Sequence, residues 1–421
     1  MPRRELILSA VLGAAASALA WFRLDGHTRG VVWAEDAGFL ENRLDAGPVL
    51  SLFDPYQGYL HVLPRAVVEV AALLPLRDYA VGVTGLCCLV AGAVAGLVHH
   101  CSRDVVRSRP ARIGVALVTV LLPTLASEVL GNTGNLHWFL LWLTPWVLLC
   151  RPRSAREGWT LGAVLLVVGL SEIQAAMFGP LLLVGLRDRR RRPMAAGFVL
   201  GIAAQVVTLL ATGRSAASAD EGTPSLLDLV QGYGLHVFLQ QWRPATGGVG
   251  DLLVDRGWPV VVAASVPFLL VLVALVVSSR TRDDRILTAT LLAGAVVPFV
   301  AGLVLNFRSF LAFSDFAFDT LAIFAPLRYA VVPAMFVLAA VAVVADRASR
   351  PIGAALLVAL LALGLWHFDA GPTNRSDERG WVAALDRAAD TCRRTGAEEV
   401  DVRTAPDTWE VRLRCAEITD G

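Results

Sequence analysis

The sequence predicts an all-α protein that crosses a membrane many times. Hydrophobic residues make up 56% of the 421 residues and charged residues only 17%, and the mean hydropathy is +0.60, outside the range of ordinary soluble domains. The apolar residues form runs of about 16 to 22, separated by short charged patches, which is the spacing that a hydrocarbon core about 30 Å thick requires. Segments of about ten residues with alternating hydrophobicity, typical of outer-membrane barrels, do not occur. These observations indicate a polytopic helical bundle.

The apolar runs predict about eleven transmembrane helices. They lie near residues 5–22, 80–98, 113–130, 135–150, 159–170, 173–186, 195–213, 258–279, 286–305, 326–345 and 352–367. The part from 159 to 186 has two interpretations. Two helices of about twelve to fourteen residues, joined at Ser171 and Glu172, are short for spans, whereas one long tilted span would break the pattern of charged connections.

The charged connections predict the orientation. The sequence contains no lysine, and arginines fill every second connection: residues 3–4, 103–112, 151–156, 187–192, 280–285 and 347–350. Because short cytoplasmic connections are rich in basic residues, we expect the N-terminus to be cytoplasmic. The Arg, Ala, Val, Leu and Gly bias suggests a GC-rich genome, so the expected location is the cytoplasmic (inner) membrane of a bacterium.

This threading places three long segments and the C-terminal tail outside the cytoplasm. We predict a membrane domain over residues 1–367, with outer loops 23–79, 214–257 and 306–325, followed by an extracytoplasmic cap over 368–421. The first loop contains an apolar stretch near 66–76 that suits an interfacial helix, and the second contains a candidate helix from Ser225 to Trp242. The tail reads as a helix over 378–395 and strands over 399–403 and 409–415, a small α/β unit.

The cysteines agree with this orientation. Cys392 and Cys415 lie in the outer tail, where the environment is oxidising, and they are predicted to form a disulfide. The other four, Cys87, Cys88, Cys101 and Cys150, fall in or beside apolar runs without the spacing of metal ligands.

Carboxylates are the most informative candidates for chemistry, because an acidic group in or near a membrane is costly and usually faces a cavity or a partner. Three positions stand out: the pair Glu35 and Asp36 after Trp33, Glu128 at the end of an apolar run, and Glu172 between two short runs. The adjacent pair can supply a general base and a second carboxylate that orients it or helps to hold a divalent cation, Mg²⁺ or Mn²⁺. A solvated loop, or the N-cap of a helix beginning near Phe39, is the alternative.

Two polar and aromatic runs are candidates for binding a sugar. The first, residues 54–61, contains Tyr56, Gln57, Tyr59 and His61, followed by Arg65. Stacking on a sugar ring and an interfacial aromatic belt explain this run equally well. The second, residues 131–138, contains Asn135 and His137, and a connecting turn rich in Gly and Asn explains it nearly as well.

The order of these features resembles that of the glycosyltransferase C superfamily. A first helix, then a long outer loop with an acidic pair in Trp33-Ala34-Glu35-Asp36-Ala37, further helices and an outer tail are similar to those enzymes over the whole chain. Arg328-Tyr329 resembles a pair that opens a late helix in them. The resemblance implies a sugar donor linked to polyprenyl phosphate, a glycan or lipid acceptor, and a first-loop carboxylate, here Asp36, as the base.

The expected reaction is an inverting transfer, with arginines binding the lipid phosphate. The outer-face candidates are Arg65, Arg243, Arg308 and Arg328. A multi-helix transporter or flippase of lipid-linked or small polar substrates is the main alternative, although no internal repeat is visible and the polar residues collect at one face. Nucleic-acid binding is not expected, because the basic residues are dispersed over short loops.

Overall fold

The structure, a computed structural model, describes residues 3–185, 188–213, 222–245, 248–317, 327–369, 371–406 and 408–419. Its α-helices are α1 Arg3–Phe22, α2 Gly26–Arg29, α3 Ala34–Ala46, α4 Val62–Ala71, α5 Tyr79–Ser102, α6 Arg109–Leu121, α7 Leu125–Glu128, α8 Leu136–Leu149, α9 Ala155–Gly169, α10 Arg192–Thr212, α11 Leu226–Tyr233, α12 Gly248–Arg256, α13 Trp258–Val277, α14 Arg282–Leu305, α15 Val331–Arg347, α16 Arg350–Trp366, α17 Trp381–Thr395 and α18 Cys415–Thr419. The strands are β1 Glu399–Thr404 and β2 Trp409–Arg414.

Short helical segments of other types connect these helices. The 3₁₀ segments are Leu50–Phe53, Leu76–Asp78, Ile173–Gly185, Arg189–Arg191, Leu239–Gln241, Ser309–Leu311 and Arg328–Ala330, and Gly234–Phe238 is a π-helical segment. The predicted helix from Ser225 to Trp242 is helical from Leu226 to Gln241, in three successive forms. Parts of the predicted outer loops, residues 214–221, 246–247 and 318–326, lie outside the described residues.

Seven helices in the described residues are long and apolar enough to cross a membrane. They are Arg4–Phe22, Leu76–Ser102, Arg109–Glu128, Arg189–Thr212, Trp258–Val277, Arg282–Leu305 and Arg328–Arg347. Leu136–Leu149, Ile173–Gly185 and Arg350–Trp366 are apolar but shorter. The expectation of a helical membrane protein is confirmed, whereas about eleven spans are not confirmed, because several of the apolar runs form helices too short to span by themselves.

The region from 159 to 186 follows the first of the two interpretations. α9 ends at Gly169, and a 3₁₀ segment runs from Ile173 to Gly185, so Ser171 and Glu172 lie between them. The 3₁₀ geometry of the second part was not expected. Pro180 within it cannot donate a backbone hydrogen bond, which disfavours a continuous α-helix there.

Helix α15 is the centre of the bundle. It packs against α6, α8, α13, α14 and α16, and its residues from Val331 to Ala345 are all buried. The sequence of α15 is apolar on every side, which is typical of a helix surrounded by other helices. By contrast, fewer than a third of the residues of α1, α10 and α13 are buried, as expected of helices that face lipid.

The arginine-rich connections meet at one end of this bundle. Arg151 pairs with Asp283 at 2.6 Å, Arg109 pairs with Glu5 at 2.5 Å, and the backbone amide of Arg107 donates to Asp346. These contacts join five different helix ends. We call this the basic end, and the opposite one the cavity end.

The C-terminal tail forms the predicted small α/β unit, the cap, at the cavity end. β1 and β2 pair antiparallel, with Glu399 opposite Arg414 and Thr404 opposite Trp409, and α17 packs on β1. Cys392 and Cys415 form a disulfide with a Cα–Cα distance of 5.6 Å, as predicted. The helix and strands differ from the predicted bounds by a few residues only.

Candidate functional site

A polar cavity of about 920 Å³, part of it open to solvent, lies at the cavity end of the bundle. Polar and aromatic side chains from six separate chain segments form its walls. The lining residues are Glu35, Phe39, Tyr56, Gln57, Tyr59, His61, Gly134, Asn135, His137, Trp138, Ser171, Glu172, Ile173, Gln174, Leu305, Asn306, Arg328 and Tyr329. This mixture of aromatic and hydrogen-bonding groups is typical of a small-molecule site.

The acidic pair lies in the first turn of α3. Trp33 is the N-cap residue, and its backbone amide donates to Asp36 Oδ2 at 3.2 Å, so Asp36 closes the first turn of the helix. The helix therefore begins five residues earlier than the helix expected near Phe39. Since successive helical residues point about 100° apart, Glu35 and Asp36 face different surroundings.

Asp36 faces the protein interior. Its side chain is 1% exposed, and Oδ1 accepts hydrogen bonds from the backbone amide of Thr133 at 2.7 Å and from the Thr133 hydroxyl at 2.5 Å. Burial raises the pKa of Asp36 to about 6, although the hydrogen bonds from Thr133 and the charge of Arg375 act in the opposite direction. Asp36 does not line the cavity in the described part of the chain.

Glu35 faces the cavity. Its Oε2 atom is buried without a hydrogen-bond partner among the described residues, and its Oε1 atom lies 3.8 Å from Nη1 of Arg328. The same guanidinium nitrogen donates to Oε1 of Glu128 at 3.3 Å. Arg328 thus stands between two carboxylates, one lining the cavity and one behind the wall. A buried acceptor without a donor is rare in proteins and points to a bound ligand or water.

The turn at residues 130–135 forms the wall next to Glu35. Asn132 accepts from the backbone amide of Asn135 at 3.0 Å and from its side chain at 2.9 Å, and Asn135 Oδ1 accepts from the indole of Trp138 at 3.1 Å. A Cβ atom added at Gly134 would lie 2.8 Å from the side chain of Glu35. Only glycine leaves room for Glu35 at this position.

A tight turn presents the aromatic side chains of the first loop. Gln57 and Gly58 both have positive φ angles, 51° and 86°, and the backbones of Tyr56 and Tyr59 exchange hydrogen bonds of 2.8 and 3.0 Å. Burial, followed by the charge of Glu35, raises the pKa of Tyr56 to about 12, so its hydroxyl stays protonated and can donate. Burial, followed by the charge of His137, lowers the pKa of His61 to about 3, which keeps that imidazole neutral.

A histidine and a carboxylate form a pair in the cavity wall. His137 Nδ1 contacts Glu172 Oε2, while Glu172 Oε1 accepts from the amide of Gln174 at 2.6 Å. Glu172 is 3% exposed, and the His137 ring packs on Trp138 with 4.2 Å between the ring centroids. The carboxylate therefore fixes the orientation of the imidazole at the cavity wall.

Most of the predicted site residues meet in this cavity. Those lining it are Glu35, Tyr56, Gln57, Tyr59, His61, Asn135, His137, Glu172, Arg328 and Tyr329. Four lie elsewhere. Asp36 and Glu128 are behind the wall. Arg65 is buried against Asn42 and Phe39, and Arg308 precedes the segment Ser309–Leu311. Arg65 braces the first loop instead of facing a substrate, because its guanidinium donates to Asn42 Oδ1 at 2.5 Å.

The sequence interpretation did not assign a site role to Phe39, Trp138, Ser171, Gln174 and Asn306. Phe39 follows Glu35 by four residues, so the period of a helix starting at Ala34 places both on one face. Trp138 directly follows His137 in the predicted second run. Gln174 lies two residues after Glu172, and Asn306 directly follows the apolar end of α14, where a single polar residue carries no comparable signal.

The arrangement does not suit a divalent cation held by Glu35 and Asp36 together. Hydrogen-bond donors occupy both oxygens of Asp36, and the Arg328 guanidinium lies against Glu35. No cluster of three or more His, Cys, Asp or Glu side chains with metal-site spacing occurs among the described residues. We therefore derive no step through a metal ion.

The fold and the cavity define a helical membrane protein with a polar site, partly open to solvent, at the end opposite its arginine-rich loops. No protein-family model matches the chain, and no curated protein matches it.

Proposed function

We propose that this protein is a membrane glycosyltransferase that moves a sugar from a polyprenyl-phosphate donor to an extracytoplasmic acceptor, a glycan or a lipid. The cavity end would face the extracytoplasmic side, because the basic end collects the arginine-rich loops that favour the cytoplasm. The proposed location is the cytoplasmic membrane of a bacterium.

The observation that carries the proposal is the buried Oε2 of Glu35, which has no hydrogen-bond partner in the described part of the chain, in an aromatic and polar cavity. An unused carboxylate oxygen of this kind can accept the proton of a bound hydroxyl group. Tyr56, Tyr59 and Trp138 supply faces on which a sugar ring can stack, while Asn135, Gln57 and Gln174 supply donors and acceptors for its hydroxyl groups.

In the proposed reaction Glu35 is the general base, in place of the expected Asp36. The acceptor O–H bond breaks as its proton moves to Glu35, and the hydroxyl oxygen forms a bond to the anomeric carbon. The bond from that carbon to the phosphate oxygen breaks on the opposite face of the ring. The polyprenyl phosphate leaves with the electron pair, and the configuration is inverted.

Asp36 and Arg328 would have supporting roles. Asp36 closes the first turn of α3 and binds the turn at Thr133, so it holds Glu35 in position without touching the substrate. Arg328 is the guanidinium that lines the cavity in the described part of the chain, and its Nη1 lies within 4 Å of Glu35. It can stabilise the negative charge of the departing phosphate.

The test uses the full chain in lipid nanodiscs with a panel of polyprenyl-phosphate sugars and acceptors. We expect Glu35→Gln to lower kcat about 100-fold or more with little change in KM, as for the loss of a general base. Asp45→Asn, an exposed carboxylate on the same helix, is the control and should keep the wild-type rate. If Glu35→Gln keeps the wild-type transfer rate and Asp36→Asn loses it, the base is Asp36 instead.

The same assay distinguishes transfer from transport. If the wild type consumes no donor of the panel, the transferase proposal fails. Movement of a fluorescent lipid-linked sugar across proteoliposomes would then favour a flippase.

A further inference from the structure

The cap is attached to the two segments that shape the cavity. The amide of Trp381 donates to Gly30 O at 2.8 Å, and the amide of Ala405 donates to Val32 O at 2.9 Å. These two hydrogen bonds attach the cap to the residues just before α3. The amide of Asn374 donates to Ser127 O at 2.9 Å, just before the turn at 130–135. The cap therefore contacts both segments next to Glu35.

Arg375 makes the closest of these attachments. Its side chain is 1% exposed, and its guanidinium donates to Leu130 O at 2.6 Å through Nη2 and to Gly131 O at 3.2 Å through Nη1. Gly131 has a φ angle of 85°, and a Cβ atom there would lie 3.3 Å from Arg375 Nη2 and 2.6 Å from Leu24. The turn therefore packs so closely on Arg375 and Leu24 that only glycine fits at position 131.

The opposite side of the same turn contacts the acidic pair. Thr133 binds Asp36 through its amide and hydroxyl groups, and Gly134 packs on the side chain of Glu35. A continuous series of contacts therefore joins Arg375 of the cap, through the turn, to Glu35 in the cavity.

We propose that Arg375 is a positioning residue, and that the cap acts through it to hold the turn at 130–135 against Glu35 and Asp36. Arg375 is not among the described residues that line the cavity, so it acts on the site indirectly, through the turn that carries Thr133 and Gly134. A glutamine at 375 can reach at most one of the two carbonyls, whereas lysine keeps a charged donor. The kinetic part of this inference rests on the proposed function, and the structural part does not.

Hydrogen exchange of the full chain in nanodiscs tests the structural part. We expect Arg375→Gln to raise exchange of the Thr133 amide about tenfold or more, because the turn loses two charge-assisted bonds, and Arg375→Lys to recover most of the protection. Protection in α15 and in α17 should not change. Arg393→Gln, which removes an exposed arginine of the cap, is the matched control.

Measurements of the transfer rate test the kinetic part of the inference. Arg375→Gln should lower kcat about tenfold or more with the wild-type KM for the donor, and Arg375→Lys should restore it. Unchanged exchange at Thr133 in Arg375→Gln overturns the inference, as does loss of protection throughout the cap. A wild type that transfers nothing contradicts the proposed function alone, and the exchange result still decides the role of Arg375.

Discussion

Thr133 donates both its backbone amide and its hydroxyl to the same oxygen of Asp36, at 2.7 and 2.5 Å. This pair of bonds joins the first turn of α3 to the wall of the cavity. Thr133→Val keeps the shape and the amide bond but removes the hydroxyl bond, which for a charged acceptor contributes about 1.5 to 3 kcal/mol.

We expect the Thr133→Val protein to melt at a lower temperature and to lose about tenfold in transfer rate. Differential scanning fluorimetry and the transfer assay measure the two effects. Thr160→Val removes an exposed hydroxyl bonded within its own helix and is the control. Equal behaviour of the two variants would show that the Asp36 contact is unimportant.

Asp36 should make stability depend on pH. Burial raises its pKa to about 6, above the value near 4 of an unfolded chain. The folded state therefore binds the proton more tightly, and the Asp36 contribution to stability is lost as the pH rises from about 4 to 6. The shift of roughly two units corresponds to about 3 kcal/mol.

Asp36→Asn cannot titrate and isolates this contribution. We expect the free energy of unfolding of the wild type, minus that of Asp36→Asn, to fall by about 2.5 kcal/mol between pH 4 and pH 7. Unfolding in mixed micelles of increasing SDS content at several pH values gives this difference. A difference that rises with pH would mean that Asp36 is stabilised in its ionised form.

His137 and Glu172 should be strongly coupled. Glu172 is 3% exposed, so His137→Ala leaves a buried carboxylate with the amide of Gln174 as its remaining donor among the described residues, at a cost of about 3 to 5 kcal/mol. Combining it with Glu172→Gln should recover part of this loss. A double-mutant cycle of unfolding free energies measures the coupling, which we expect to exceed about 1 kcal/mol.

The exposed pair Arg77 and Asp386 is the control for this cycle, since both side chains are more than half exposed. Its coupling should stay below about 1 kcal/mol. Similar coupling in the two cycles would contradict a special role for the pair in the cavity wall.

Gly134 should be essential to the position of Glu35. Alanine at 134 brings a methyl group to 2.8 Å from the Glu35 side chain, so that side chain must move. We expect Gly134→Ala to lower the transfer rate at least tenfold, by displacing the base. Gly38→Ala, on the same helix as Glu35 and with open space around its Cβ position, should keep the wild-type rate.

Much of the architecture could be predicted because it depends on composition and period. Long apolar runs favour helices in a membrane, and the helix, strand and disulfide of the cap follow from local patterns around Cys392 and Cys415. The number of spans could not be predicted in the same way. The runs at 159–170, 173–186 and 352–367 are apolar enough to count, but the helices they form are shorter than a bilayer requires.

The cavity was predicted in part for a similar reason. Tyr56, His61, His137 and Arg328 are unusual polar groups beside apolar runs, and such groups tend to gather where the chain turns. Arg65 and Glu128 are also polar residues beside apolar runs, but their side chains bind Asn42 and Arg328 and do not line the cavity. These partners come from other segments of the chain, so a local pattern could not reveal them.

The sequence by itself determined the class of protein, the basic end and the cavity end, and the residue types available for chemistry. Hydrophobic runs and arginine-rich connections act over short stretches, so a local pattern is enough to reveal them. Only the tertiary structure decided which of two adjacent carboxylates faces the cavity. Glu35 and Asp36 point about 100° apart on α3, and Thr133, in the turn that Arg375 of the cap contacts, binds Asp36 in the interior, while Glu35 lines the cavity.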